Sequence, residues 1–111
     1  MSRELLEQRV YRRHEKGSYE AKVALDRAER LMRQNEWRGA VYPSRPEMIK
    51  ACVEDFLTRH GDRGYTTTLS SLHDDDDVLI ERMEEQGWLD ETDFESSEIV
   101  SALKTLRAQW G

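Results

Sequence analysis

The sequence predicts an all-α fold of four or five helices arranged around a central helix over residues 45–60. Helix-forming residues are abundant, and only two prolines interrupt the 111 residues. Apolar residues recur at intervals of three and four positions, which is the helical period, rather than at intervals of two. No Asn-Gly or Asp-Gly pair separates two alternating runs, so no β-hairpin is predicted, and only the Thr-rich stretch 65–69 suits a short strand.

The central helix is predicted from its start, its apolar face and its end. Ser44 and Glu47 form a capping box, and Pro46 stands in the first turn, where its missing N–H costs nothing. Gly61 supplies a left-handed stop. The apolar face consists of five residues at helical spacing: Ile49, Cys52, Val53, Phe56 and Leu57.

Residues 3–36 are predicted to form one long helix. Along it runs a seam of residues spaced by three and four, as in a heptad pattern: Val10, His14, Gly17, Ala21, Ala24, Ala28 and Leu31. The alternative is a break at Gly17-Ser18, where glycine ends one helix and serine caps the next. A continuous helix would span about 51 Å, whereas a domain of this size is about 35 Å across. The projecting seam would then be covered by a second copy of the chain, which predicts a homodimer.

The rest of the chain is predicted to contain a connector and three further helices. Residues 37–43 form the connector, because Pro43 disfavours helix immediately before it. The three helices are a short one over 67–73, an acidic one over 75–86 and a C-terminal one over 95–109. Gly87 ends the acidic helix, and Trp88 folds back onto its last turn as in a Schellman cap. The apolar stripe of the last helix comprises Ile99, Val100, Leu103, Leu106 and Trp110.

Charge is distributed unevenly along the chain. Residues 1–38 carry ten Lys/Arg against seven Asp/Glu, a net charge of +3, whereas residues 65–111 carry three against twelve, a net charge of −9. The C-terminal half would repel nucleic acid and attract basic partners. A protein partner with a basic surface is therefore predicted.

The sequence argues against a membrane protein, an enzyme and a metal-binding or cofactor-binding protein. No apolar run approaches the roughly 18 residues that a membrane span needs, and a single cysteine fits a reducing compartment, so a cytoplasmic protein without membrane contact is predicted. No nucleophile stands beside a base at fixed spacing, so no enzymatic activity is expected. Four consecutive aspartates, Asp74 to Asp77, point in different directions on a helix and lack the spacing of a calcium loop. No metal and no cofactor are therefore predicted.

The acidic helix is the predicted partner-binding site. Carboxylates three and four residues apart lie about 5–6 Å from each other on one helix face and repel by a few tenths of a kcal/mol per pair. A row of negative charge at this pitch resembles a nucleic-acid phosphate strand in outline. The residues assigned to the surface are Asp74, Asp77, Glu81, Glu84, Glu85, Asp90 and Glu91.

A short stretch resembles a known family. Phe-Leu-Thr-Arg-His-Gly at 56–61, Asp-Asp-Asp-Val at 75–78 and Glu-Arg-Met at 81–83 are similar to a run in the phage Gam-type host-nuclease inhibitors, over about residues 52–84. The resemblance implies an all-α dimer with a long projecting helix. It also implies that such a protein blocks the DNA-binding site of a bacterial recombination nuclease.

These observations predict a small acidic binding protein that inhibits or regulates a nucleic-acid-processing partner through a surface that mimics DNA. Two alternatives stay open. In the first, the chain is a structural or regulatory dimerisation module whose acidic face is only solvated. In the second, it binds nucleic acid through the basic N-terminal helix, which would make the binding depend strongly on salt.

Overall fold

The computed structural model describes residues 3–58 and 72–110 and shows a mainly helical protein, which confirms the predicted class. Within these residues the elements follow in the order α1 (Arg3–Arg13), α2 (Tyr19–Arg33), β1 (Glu36–Trp37), β2 (Ala40–Val41), α3 (Arg45–Thr58), α4 (Asp76–Glu85) and α5 (Ser96–Trp110). Helices α4 and α5 lie within one residue of their predicted bounds. Most of the predicted helix 67–73, and the predicted end of the central helix with its Gly61 stop, lie outside the described residues.

Helix α3 lies at the centre of the main core. All five residues of its predicted apolar face are buried, and Met48 is buried with them. At its start the Ser44 hydroxyl oxygen accepts a hydrogen bond from the Glu47 N–H at 3.4 Å. Within the described chain, the most extensive helix pairing is that of α3 with α5. The core is completed by buried residues from α4 and α5 and the segment between them: Leu79, Met83, Trp88, Leu89, Phe94, Ile99, Leu103 and Leu106.

The end of α4 has the predicted Schellman geometry. Gly87 adopts φ +84°, and its N–H donates to the Glu84 carbonyl oxygen at 3.2 Å. The N–H of Trp88 donates to the Met83 carbonyl oxygen at 2.9 Å, which is the second bond of the motif. One residue of the predicted α5 stripe lies outside the core: Trp110 is 41 % exposed, and Ala108 and Gln109 before it are exposed as well.

The predicted long helix over 3–36 is wrong, because the chain forms α1 and α2 with a break at residues 14–18. Gly17 adopts φ +86°, a left-handed conformation that glycine enters without a steric penalty. The Ser18 hydroxyl oxygen accepts a hydrogen bond from the Ala21 N–H at 3.2 Å and caps α2. The alternative break at Gly17-Ser18 is therefore the one that occurs.

The predicted dimer seam lies largely inside one chain. Helices α1 and α2, called here the N-terminal helix pair (residues 3–33), pack against each other through a small apolar cluster: Leu6, Val10, Ala21, Ala24, Leu25 and Ala28. Of the other seam residues, His14 is half-buried and Gly17 is exposed in the loop, whereas Leu31 packs against the main core. The small residues serve contact between two helices of the same chain. The projecting helix that motivated a homodimer is absent from the described chain, and the homodimer stays a prediction.

A β-hairpin occupies part of the predicted connector, so the expectation of no hairpin is wrong. Strands β1 and β2 are antiparallel, with Glu36 opposite Val41. The two turn residues, Arg38 and Gly39, have φ of +49° and +84°, and a two-residue type I′ turn needs positive φ at both positions. The Arg38 guanidinium lies 4.8 Å from the ring centroid of Trp88, so a contact fifty residues away holds the turn against the core.

Candidate functional site

The seven predicted partner-binding acids fall into two groups. The first, called here the exposed acidic face, consists of Asp77, Glu81 and Glu85 on α4. The second group consists of acids that pair with arginines of the same chain: Asp74, Glu84, Asp90 and Glu91. Of the seven acids in the predicted surface, the structure therefore presents three together on one exposed face of α4.

The exposed acidic face follows one side of α4 at intervals of one turn. Asp77, Glu81 and Glu85 are spaced by four residues, and Val78 beside them is 38 % exposed. Within residues 3–58 and 72–110 no cation pairs with Asp77 or Glu81. Asp77 lies in the first helical turn, where the helix dipole favours a negative charge, but Glu85 lies in the last, where it does not. Neither packing against the core nor the helix dipole explains the exposed carboxylate of Glu81, which lies in the middle of the helix.

The paired acids are compensated mostly by the N-terminal helix pair. Asp90 accepts a hydrogen bond from the Arg13 Nε at 2.8 Å, and Glu91 contacts the guanidinium of Arg27. Glu84 lies 3.6 Å from the Arg9 Nη2 and 4.0 Å from the Arg12 Nη1. Asp74 is the exception, because its partner is Arg82 of α4 at 2.9 Å. The excess positive charge of the first 38 residues thus neutralises part of the excess negative charge of the last 47.

Arg9 is a buried cation among these ion pairs. Its residue is 3 % exposed, and its Nη1 donates to both the carbonyl and the hydroxyl oxygen of Thr92, at 3.2 and 3.1 Å. Burial lowers the pKa of the Arg9 guanidinium, and the nearby Glu84 carboxylate opposes that shift. The apolar clusters of the N-terminal helix pair and of the main core are separate, and these polar contacts join α1 to the segment after α4.

A second charged cluster joins the starts of α3 and α5. The Arg45 Nε and Nη2 donate to the two carboxylate oxygens of Glu98 at 2.6 and 3.0 Å, and Nη2 lies 2.8 Å from Oδ1 of the buried Asp93. Hydrogen bonding to Glu98 raises the pKa of Arg45, and the same bonds hold the pKa of Glu98 below its usual value. Glu98 also accepts the Glu95 N–H at 3.1 Å and so caps α5. This cluster is structural.

The Cys52 thiol is fully buried, burial raises its pKa, and it donates a weak hydrogen bond to the Trp88 carbonyl oxygen at 3.7 Å. Over residues 3–58 and 72–110, no three His, Cys, Asp or Glu side chains converge as metal ligands would. No helix in the same ranges is both long and apolar enough to cross a membrane.

Sequence reasoning missed the arginines that organise both charged clusters. No local pattern marks Arg9, Arg13 or Arg27 as pairing residues, although Arg9 directly precedes Val10 of the seam. The net positive charge of residues 1–38 and the net negative charge of residues 65–111 are the signal that could have indicated ion pairs between the two segments. Arg45 has no such signal, because its partners Asp93 and Glu98 lie 48 and 53 residues away. The chain matches no protein-family model, no curated protein and no solved structure.

Proposed function

We propose that this protein is a small acidic binding protein that docks on the basic surface of a nucleic-acid-processing protein and regulates it. The exposed acidic face of α4 makes the contact. The observation that carries the proposal is the position of Asp77 and Glu81, one turn apart, exposed and without a cationic partner among the described residues. The DNA-mimic surface is narrower than the sequence predicts, because four of the seven acids already have arginine partners.

Physical chemistry favours a charged partner for this face. Exposed carboxylates at i and i+4 repel each other, and a basic surface would remove that repulsion while steering the two proteins together. Val78 adds an apolar contact at the edge of the face. The resemblance of residues 52–84 to Gam-type inhibitors indicates which enzyme class to test first, namely a bacterial recombination nuclease.

The test is an inhibition assay on such a nuclease. DNA degradation is measured with increasing amounts of the wild-type protein and of the double variant D77K/E81K. We expect the wild type to inhibit and the variant to inhibit at least about tenfold less, because opposed like charges at an interface cost several kcal/mol. Higher salt should weaken wild-type inhibition, since exposed charges are screened.

The matched control is E15K/D26K, which makes the same change in net charge. Glu15 and Asp26 are both exposed; Glu15 lies in the loop between α1 and α2, and Asp26 lies on α2. This variant should inhibit like the wild type. Equal inhibition by D77K/E81K and the wild type would remove α4 from the interface.

A second candidate function has an observation in its favour. The pairing of Glu84, Asp90 and Glu91 with the chain's own arginines is what a structural or regulatory helical module with a solvated acidic face would have. This alternative predicts no nuclease inhibition by the wild type or by either variant. The same panel therefore separates the two functions.

A further inference from the structure

A cavity of about 250 Å³ lies between the N-terminal helix pair and the segment after α4. Its lining includes three arginines and a histidine, namely Arg9, Arg13, His14 and Arg27, together with Asp90 and Glu91. No residue of the exposed acidic face lines it. The cavity is therefore independent of the surface proposed for partner binding.

Arg9 is the group at this cavity whose hydrogen bonding is incomplete. Its side chain is 4 % exposed, yet its Nε has no hydrogen-bond partner among the described residues. Nη1 is occupied by Thr92, and Nη2 lies 3.6 Å from Glu84, which is a charge contact longer than an ordinary hydrogen bond. A buried guanidinium with an unused N–H favours an anionic acceptor, because an unpaired buried charge or donor is costly.

The other lining charges favour an oxyanion over a cation. Arg13 and Arg27 each contact one carboxylate, Asp90 and Glu91 respectively, whereas Arg9 and Arg12 share Glu84. Four arginines therefore face three carboxylates, which leaves one positive charge in excess. Guanidinium groups match phosphate oxygens in geometry and bind them with two parallel hydrogen bonds.

We propose that this cavity is a binding site for a phosphate-sized oxyanion, with Arg9 as the buried anchor and Arg13, Arg27 and His14 around it. The anion is either free phosphate or the phosphoryl group of a monoester. The volume is several times the share of a single water molecule, about 30 Å³. It accommodates the phosphoryl group of either source.

The test is a titration of the full chain with inorganic phosphate, in which sodium chloride is exchanged to hold the ionic strength constant. The Nε–H signals of the arginines are followed by ¹⁵N NMR. We expect a saturable, single-site shift of the Arg9 Nε–H signal. Phenyl phosphate forms a second arm: tighter binding than phosphate identifies a monoester as the ligand, and equal or weaker binding identifies the free ion.

Two variants with the same loss of charge make the test specific. R27Q removes a lining arginine that is 48 % exposed, so we expect only a small loss of stability. It should weaken phosphate binding about tenfold, the value of one charge-assisted hydrogen bond. R30Q removes an exposed arginine of α2 outside the cavity and should leave the affinity unchanged. A shift that chloride reproduces, a shift that never saturates, or equal affinity of R27Q and R30Q would overturn the proposal.

Discussion

Replacing Arg45 with methionine should be among the most damaging substitutions of a charged residue in this protein. The change keeps much of the aliphatic chain and removes the guanidinium that links α3 to Asp93 and Glu98. The Asp93 side chain is 4 % exposed, so R45M leaves a buried carboxylate without its cation. Removing one partner of a buried ion pair costs about 3–5 kcal/mol. Glu98 is more exposed, at 29 %, and its loss of a partner adds less.

The expected loss of about 3 kcal/mol is large against the ~5–15 kcal/mol that stabilises a typical domain. It corresponds to a decrease in Tm of about 12 °C or more. Urea denaturation followed by circular dichroism gives the free energy of unfolding directly. K50M is the matched control on the same helix, because Lys50 pairs with Glu47, which is 49 % exposed, and such a pair contributes about 1 kcal/mol or less.

A third variant separates the buried charge from lost packing. Adding D93N to R45M removes the uncompensated charge, so the double variant should recover part of the lost stability. If R45M costs no more than K50M, or if D93N recovers nothing in its background, the structural role assigned to this cluster is wrong.

Three further predictions concern pH, backbone conformation and thiol reactivity. The pKa of Glu98 is lower in the folded protein than the usual value of about 4.3. Its pairing therefore stabilises the fold above that value and is lost as pH falls through the lowered pKa; E98Q should flatten this part of the Tm–pH curve, measured by differential scanning calorimetry between pH 7 and pH 3. G87A should lower the free energy of unfolding, measured by urea denaturation, by about 1–2 kcal/mol, and by more than G17A does. Both glycines have positive φ, but of the two only a Cβ at Gly87 would come within 3.3 Å of the Asp90 carboxylate. Equal losses in the two variants would contradict that close approach. Cys52 should resist a thiol reagent in the native protein and react at once in denaturant, because its thiol is buried and its pKa is raised; rapid native reaction would contradict the burial.

The fold was predictable where local pattern and burial agree. The apolar spacing of Ile49 to Leu57 can be satisfied only by burying one face of a helix, and Gly87 followed by Trp88 is a strong signal for a helix end. At Gly17 the pattern is ambiguous, since the heptad spacing continues through the glycine while the glycine itself permits a break. The compact packing of α1 on α2 decides the outcome, and that contact has no local signal.

The features that sequence reasoning missed depend on contacts between distant residues. The turn at Arg38-Gly39 is not a common hairpin pair, and it is supported by Trp88, whose position depends on the whole core. The acidic row was predictable because helical geometry places Asp77 and Glu81 on one face. The neutralisation of Asp90 was not, because its partner Arg13 lies 77 residues earlier in the chain.

The most direct measurement for the proposed function is the concentration of protein that halves DNA degradation by a recombination nuclease, compared between D77K/E81K and E15K/D26K. The two variants carry the same net charge, so any difference reports the location of the charge. We expect the α4 variant to need at least about tenfold more protein than the control variant, which should match the wild type. Equal values for the two variants would show that the exposed carboxylates of α4 do not contact the enzyme.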